Sequence, residues 1–211
     1  MEYFSDPFLG YLELKQDLLY HKIPIEKIPY YIEEALQAGK ILGQEFKGHS
    51  VKELLANHQI TLKTETGDGN FFKVKFRAQF ETDAKGMNQI FLYEQSIQEL
   101  ADANQLAEEE IEEIVLTHEF FHFLEDQRQL LIPEKLDSIE TFRLGKFTRN
   151  AHVQRTSEIA ANSFAKEVLG LANLPNYYDY IFLLKNDQLT ETDLLEEYQE
   201  FKEIFRMDVK V

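Results

Sequence analysis

Residues 118–122 read His-Glu-Phe-Phe-His, and their types and spacing define a chemistry. Residues i and i+4 stand one above the other on a helix face, so His118 and His122 can turn both imidazoles toward one point. A zinc ion suits that arrangement, with a third protein ligand and a water completing a tetrahedron. Glu119, beside the first histidine, then lies next to the water and not on the metal. There it can take a proton from the water and hand it to a leaving amine. A shuffled chain of this composition would carry the pattern with a chance of about two in a hundred. The same spacing also suits two core histidines on an amphipathic helix.

A third ligand must come from elsewhere. Glu125 continues the same face, but a straight helix rises about 10 Å over seven residues. Zinc bonds are about 2 Å long, so three side chains on that span converge poorly. Glu125 is then a partner for a ligand or a solvated acid. Glu158, in "RTSEIAANSFAKEVLG", solves the geometry by bringing one carboxylate across from a separate helix. Asn162 lies one turn further on, where it can hydrogen-bond a ligand histidine and fix its tautomer. Two histidines and a carboxylate can also suit other divalent ions. For a developing oxyanion the available donors are His152, Arg155, Tyr177 and Tyr178. Glu119 and His152 are therefore the candidate catalytic residues, and His118, His122 and Glu158 the candidate metal ligands.

Several elements must position these groups. A long helix is expected from Pro29 through Phe46, with Gly39 and Gly43 either weakening it or admitting a close neighbour. Ser50-Val-Lys-Glu53 has the form of a capping box opening a short helix. In "FFKVKFRAQFE", Phe72, Val74, Phe76, Ala78 and Phe80 alternate with polar residues, which predicts one strand with a buried and a wet face. "DAKGMN" turns it into a second strand, "QIFLYE", as a hairpin. From about Ala107 the chain is helical, with Ile111, Ile114, Val115, His118, Phe121 and His122 on one broad stripe. A further helix is expected over Arg155–Leu169. Its Ala160, Ala161 and Ala165 invite a close neighbour, a role the His118 helix can fill. An aromatic segment follows Pro175, and a last helix runs from about Asp193. The fold class is α+β, with a small, mostly antiparallel sheet packed with an active-site helix and further helices. We expect a single domain over 1–211, with a core over 29–169 and a helical C-terminal extension over 176–211.

Composition excludes several alternatives. The 211 residues carry 22 basic and 38 acidic side chains, a formal charge of -16, so bulk electrostatics oppose nucleic acid and anionic membrane. The absence of cysteine removes disulfides, thiolate zinc sites and cysteine nucleophiles. No stretch approaches the roughly 20 apolar residues of a membrane span, and the first residues lack the basic and apolar regions of a secretory signal. These features lead us to expect a cytoplasmic protein with no membrane or direct nucleic-acid partner.

"HEFFH" followed by "EIAANSFA" resembles the ImmA/IrrE family of zinc metallopeptidases, with Glu158, Ala161, Asn162, Phe164 and Ala165 aligned on the second motif. "HSVKELLANHQITLKTE" is similar to the family's upstream helix and strand, so the resemblance spans about Pro29 to Leu169. It implies a zincin-like fold, zinc on His118, His122 and Glu158, and Glu119 as general base. It also implies a zinc-dependent peptidase with a narrow protein substrate, such as a helix-turn-helix repressor. A zinc-binding regulatory protein without turnover is the alternative. The chain departs from the family in its bulky Phe120 and Phe121, and in "EKLDSIETFRLGKFTRNAHVQ", which looks like an insertion before Glu158. The sequence singles out no strand to lie along a cleft.

Overall fold

The structure, a computed structural model, describes residues 4–67, 69–71 and 74–208. The chain enters the core at once. Ser5 caps α1 (Asp6–Leu14), its hydroxyl accepting from the Phe8 N–H at 3.4 Å, and Pro7 sits in the first turn. Every residue from Phe8 to Leu14 is buried. The sequence reading placed the first long helix near Pro29 and assigned no element here. A helix buried on all sides shows no amphipathic period to read.

α2 (Ile28–Gln44) begins where Pro29 predicts. α3 (Val51–Asn57) follows Ser50, but the serine side chain makes no capping bond, so the expected capping box is not formed. β1 (Thr61–Glu65) comes next. The expected single strand over "FFKVKFRAQFE" is divided. β2 (Asn70–Phe71) pairs antiparallel with β3 (Val74–Lys75), and only β4 (Ala78–Thr82) joins the main sheet. Phe72 and Lys73 lie outside the described residues. Alternation sets which side chains share a face; it does not set which strand is the partner.

β4 forms the expected hairpin with β5 (Asn88–Tyr93), and Asp83 stabilises its turn by accepting from the Lys85 and Met87 N–H groups at 2.8 and 2.9 Å. β1 runs parallel to β5 on the other side, giving the order β1-β5-β4. β4 is therefore an edge strand. α4 (Glu94–Asn104) leads to α5 (Glu108–Gln127), where the Glu110 carboxylate accepts from the Ala107 N–H at 3.1 Å. After α6 (Ile132–Lys135), the stretch read as an insertion folds into a hairpin of β6 (Ile139–Leu144) and β7 (Phe147–Ala151). α7 (Arg155–Leu169) has the predicted bounds, and α8 (Asn176–Lys185) and α9 (Glu191–Asp208) complete the described chain.

α2 and α7 cross at Gly39. A Cβ built there would lie 2.0 Å from the Ala160 carbonyl oxygen, so only glycine admits the approach. Of the two roles open to these glycines, close approach is the one found. It also reassigns Ala160, whose tight neighbour is α2 and not the His118 helix. α9 reaches the same core, with Phe201 and Tyr198 5.3 and 5.1 Å from the Phe8 ring. Among the described residues, no helix is long and apolar enough to cross a membrane.

Candidate metal centre

α5 is anchored from beneath. Phe120 and Phe121 are fully buried, Phe120 against Phe46 at 5.5 Å and Phe121 against Phe164 at 5.6 Å. The bulky pair between the histidines thus packs the helix down. His118, Glu119 and His122 are left half-buried on the side away from Phe120, with the Phe121 ring 5.7 Å from that of His122. α7, held close by α2, brings Glu158 over them.

The side chains of His118, His122 and Glu158 converge, and this group could hold a metal ion. His118 Nε2 lies 3.2 Å from both Glu158 Oε2 and His122 Nε2, and His122 Nε2 lies 3.8 Å from Glu158 Oε2. Ligand atoms about 2.0–2.1 Å from a tetrahedral centre stand about 3.3–3.4 Å apart, so one point lies at about bonding distance from all three.

The far side of each imidazole is also spoken for. Asn162 Oδ1, 3.2 Å from His118 Nδ1, accepts its hydrogen and leaves the Nε2 lone pair facing the group. His122 Nδ1 stands 3.4 Å from Ser157 Oγ, and Ser157 donates its own hydrogen to Glu125 Oε2 at 2.6 Å. Glu125 is 6% exposed and also accepts from the Ile132 N–H at 2.7 Å. Of the two readings left open for Glu125, it is a partner behind a ligand and not a solvated acid. Ser157 was not singled out in sequence. Nothing local marks it apart from its place beside Glu158.

The electrostatics favour a cation. Burial pushes the His122 imidazolium down, but the Glu125 and Glu158 carboxylates outweigh it and hold its pKa up at about 10. Burial alone would push Glu158 up; hydrogen bonds from His118 and His122 more than offset it and hold its carboxyl well below the usual range. A proton therefore sits where carboxylates converge, and a metal ion could take its place.

These residues form the floor of a cleft of about 1010 Å³. One wall is β4. Tyr93 donates its N–H to the Arg77 carbonyl at 3.1 Å, so Arg77 faces β5 and the alternation turns the backbone of Ala78 and Phe80 to the free edge. The Phe80 N–H uses that edge to donate to Glu119 Oε2 at 2.8 Å. A strand beside the cleft, which the sequence did not single out, is thus β4. α8 forms the facing wall. Arg77 ties it in place, donating to Asp179 Oδ1 at 3.1 and 3.0 Å and to Ser96 O and Oγ at 2.8 and 3.0 Å, with Phe182 below its guanidinium.

Among the oxyanion candidates, Arg155 and Tyr178 line the cleft. Arg155 donates to Glu13 Oε1 at 2.9 Å, and burial together with the Glu158 charge raises the Glu13 pKa to about 7. Glu13 had no signal in sequence because α1 itself was unread. Tyr177 packs against Phe4 at 5.2 Å and does not line the cleft. His152, expected as a second catalytic residue, does not line it either, and its Nδ1 is buried without a hydrogen-bond partner. It precedes the first turn of α7, six residues from Glu158, and so does not share the face that Glu158 presents.

The fold and site together define an α+β protein with a His-His-Glu group suited to a metal ion. No protein-family model, curated protein or solved structure matches the chain.

Proposed function

We propose that the protein is a zinc-dependent endopeptidase, with zinc held by His118, His122 and Glu158 and with Glu119 as the general base. The observation that carries this reading is the position of Glu119. It lines the same cleft as the three ligands and is held by the Phe80 N–H of a strand whose edge faces that cleft. Zinc in such a site would act as a Lewis acid, polarising a carbonyl and acidifying water.

The chain's own residues supply the rest. An extended peptide can add to the free edge of β4 through the Ala78 backbone and the Phe80 carbonyl, the Phe80 N–H being held by Glu119, which lays its carbonyl across the cleft floor. Glu119 takes a proton from the attacking water as the new C–O bond forms, and passes it to the amine as the C–N bond then breaks. Arg155 and Tyr178 are the donors available to the oxyanion. Asn162 and the Ser157–Glu125 pair keep both imidazoles turned toward the metal.

Zinc is favoured by the nitrogen-rich donor set and the near-tetrahedral spacing. A narrow protein substrate, such as a helix-turn-helix repressor, and membership of the ImmA/IrrE family rest on the "HEFFH" and "EIAANSFA" resemblance. A cytoplasmic setting rests on the lack of cysteine.

The test pairs Glu119→Gln with His122→Ala. Zinc content is measured by elemental analysis, and cleavage of a denatured-protein peptide library by mass spectrometry. Wild type is expected to carry one zinc and to cut. Glu119→Gln should keep the metal and lose activity by about 10²–10⁴-fold, while His122→Ala loses both. Cleavage by Glu119→Gln at the wild-type rate contradicts the proposal.

A further inference from the structure

The cleft is not uniform in its lining. α1 and α7 contribute polar groups to it, among them Glu13, Gln16 and Arg155. Elsewhere its lining is apolar, with Phe76 just before β4, Leu100 from α4, Ile111, Ile114 and Val115 from α5, and Phe182 from α8. Leu100, Ile111, Ile114 and Phe182 are buried, and Phe76 and Val115 are half-buried. These side chains therefore wall a recess and do not form an outward patch.

The recess begins at the metal ligands. Val115 and Ile114 stand one turn before His118 on α5 and Ile111 stands two turns before it, so the apolar wall continues the face that carries both histidines. At 1.5 Å per residue it extends about 10 Å from His118 along the helix. Arg77 also lines the cleft, 4.7 Å above the Phe182 ring, but its charge is engaged: Nε and Nη2 donate to Asp179 and Nη1 to Ser96.

The recess also has a place along β4. The Phe76 carbonyl accepts from Ser96 Oγ at 2.8 Å, and Ser96 stands one turn before Leu100 on α4, so the recess lies where β4 begins. Phe80, whose N–H holds Glu119, comes later in the strand. A peptide on the free edge makes the more stable ladder when it runs antiparallel. The residue after the scissile bond is then the one carried toward the start of β4.

We propose that this recess is the specificity pocket of the cleft, and that the protein cuts the bond preceding a large apolar residue such as leucine or phenylalanine. That side chain sits against Val115 and Leu100. The inference rests on the peptidase reading above and names a substrate class for it. Burial of an apolar side chain supplies binding, whereas a charged one would enter the recess without a partner. One methylene in such a pocket changes selectivity by about 10- to 200-fold.

Digestion of the denatured-protein peptide library by the zinc-loaded protein tests it, with the residue after each cut read by mass spectrometry. Wild type should cut before leucine or phenylalanine at least about tenfold faster than before alanine, serine, aspartate or lysine. Val115→Phe fills the recess and should shift the preference at least about tenfold toward alanine. Leu100→Ala enlarges it and should favour phenylalanine over leucine. Each variant is first shown to keep one zinc by elemental analysis and wild-type helicity by circular dichroism, and Leu100→Ala decides where Val115→Phe does not fold. A wild-type profile with no apolar preference after the cut overturns the pocket and leaves the peptidase reading standing. So does a folded, zinc-loaded variant that keeps the wild-type profile. No cleavage by zinc-loaded wild type overturns the peptidase reading, and the pocket with it.

Discussion

Replacing Gly39 with alanine tests the crossing on which the position of Glu158 depends. The added Cβ would stand 2.0 Å from the Ala160 carbonyl oxygen, 2.8 Å from its carbon and 3.0 Å from its Cα. A carbon–oxygen contact at van der Waals distance needs about 1 Å more, so α2 and α7 must part. Overpacking of this kind costs about 3 kcal/mol where the obstacle is backbone, because no side chain can swing aside. Against it, alanine is better than glycine inside a helix by about 1 kcal/mol. The balance is a loss of about 2 kcal/mol, which corresponds to a fall of about 4–8 °C in Tm for a chain of this size. Urea unfolding and a thermal melt read it directly, with Gly67→Ala as control because nothing lies within 4 Å of a Cβ there. Since Glu158 and Ala160 share the first turns of α7, Gly39→Ala should also weaken metal binding. A Gly39→Ala protein as stable as wild type, or more so, would mean that helix propensity wins and that the close crossing does not exist.

Glu158→Ala should lower zinc affinity, measured by chelator competition, well beyond the about 10- to 100-fold loss expected for Glu125→Ala, which removes only a partner behind His122; equal losses would contradict the assignment. Glu13 gives a pH signature in the metal-free protein. Its folded pKa of about 7 lies above its ordinary 4.5, so the stability it contributes is full below 4.5 and is lost as pH rises through 7. Glu13→Gln removes that loss, and urea unfolding at pH 5 and pH 8 should show a smaller difference than in wild type, by up to about 3 kcal/mol. An unchanged pH dependence refutes it.

Much of the site was legible because its spacing is local. The histidines announce themselves through the i, i+4 geometry of one helix. Glu158 follows from the need for a carboxylate on a second helix, and the bounds of α7 were read correctly. What escaped depends on contacts between distant segments. α1 has no wet face and hence no period. The break between β3 and β4 lies within a run of unbroken alternation. That β4 is the edge strand beside the cleft follows from the order β1-β5-β4, in which a parallel neighbour from earlier in the chain takes the other side of β5. Glu125 could be a partner or a solvated acid until α6 and α7 supplied the Ile132 N–H and Ser157. The alanines of α7 declared a close neighbour, a role given in sequence to the His118 helix, and at Ala160 the neighbour proved to be a glycine more than a hundred residues earlier.

The most direct test is a crystal of the zinc-loaded protein, measured on both sides of the zinc absorption edge. The account predicts one anomalous peak within about 2.0–2.2 Å of His118 Nε2, His122 Nε2 and a Glu158 carboxylate oxygen, with Glu119 beside it but not bound. A peak elsewhere, or one that has Glu119 or Glu125 in place of Glu158 as its third protein ligand, would contradict it.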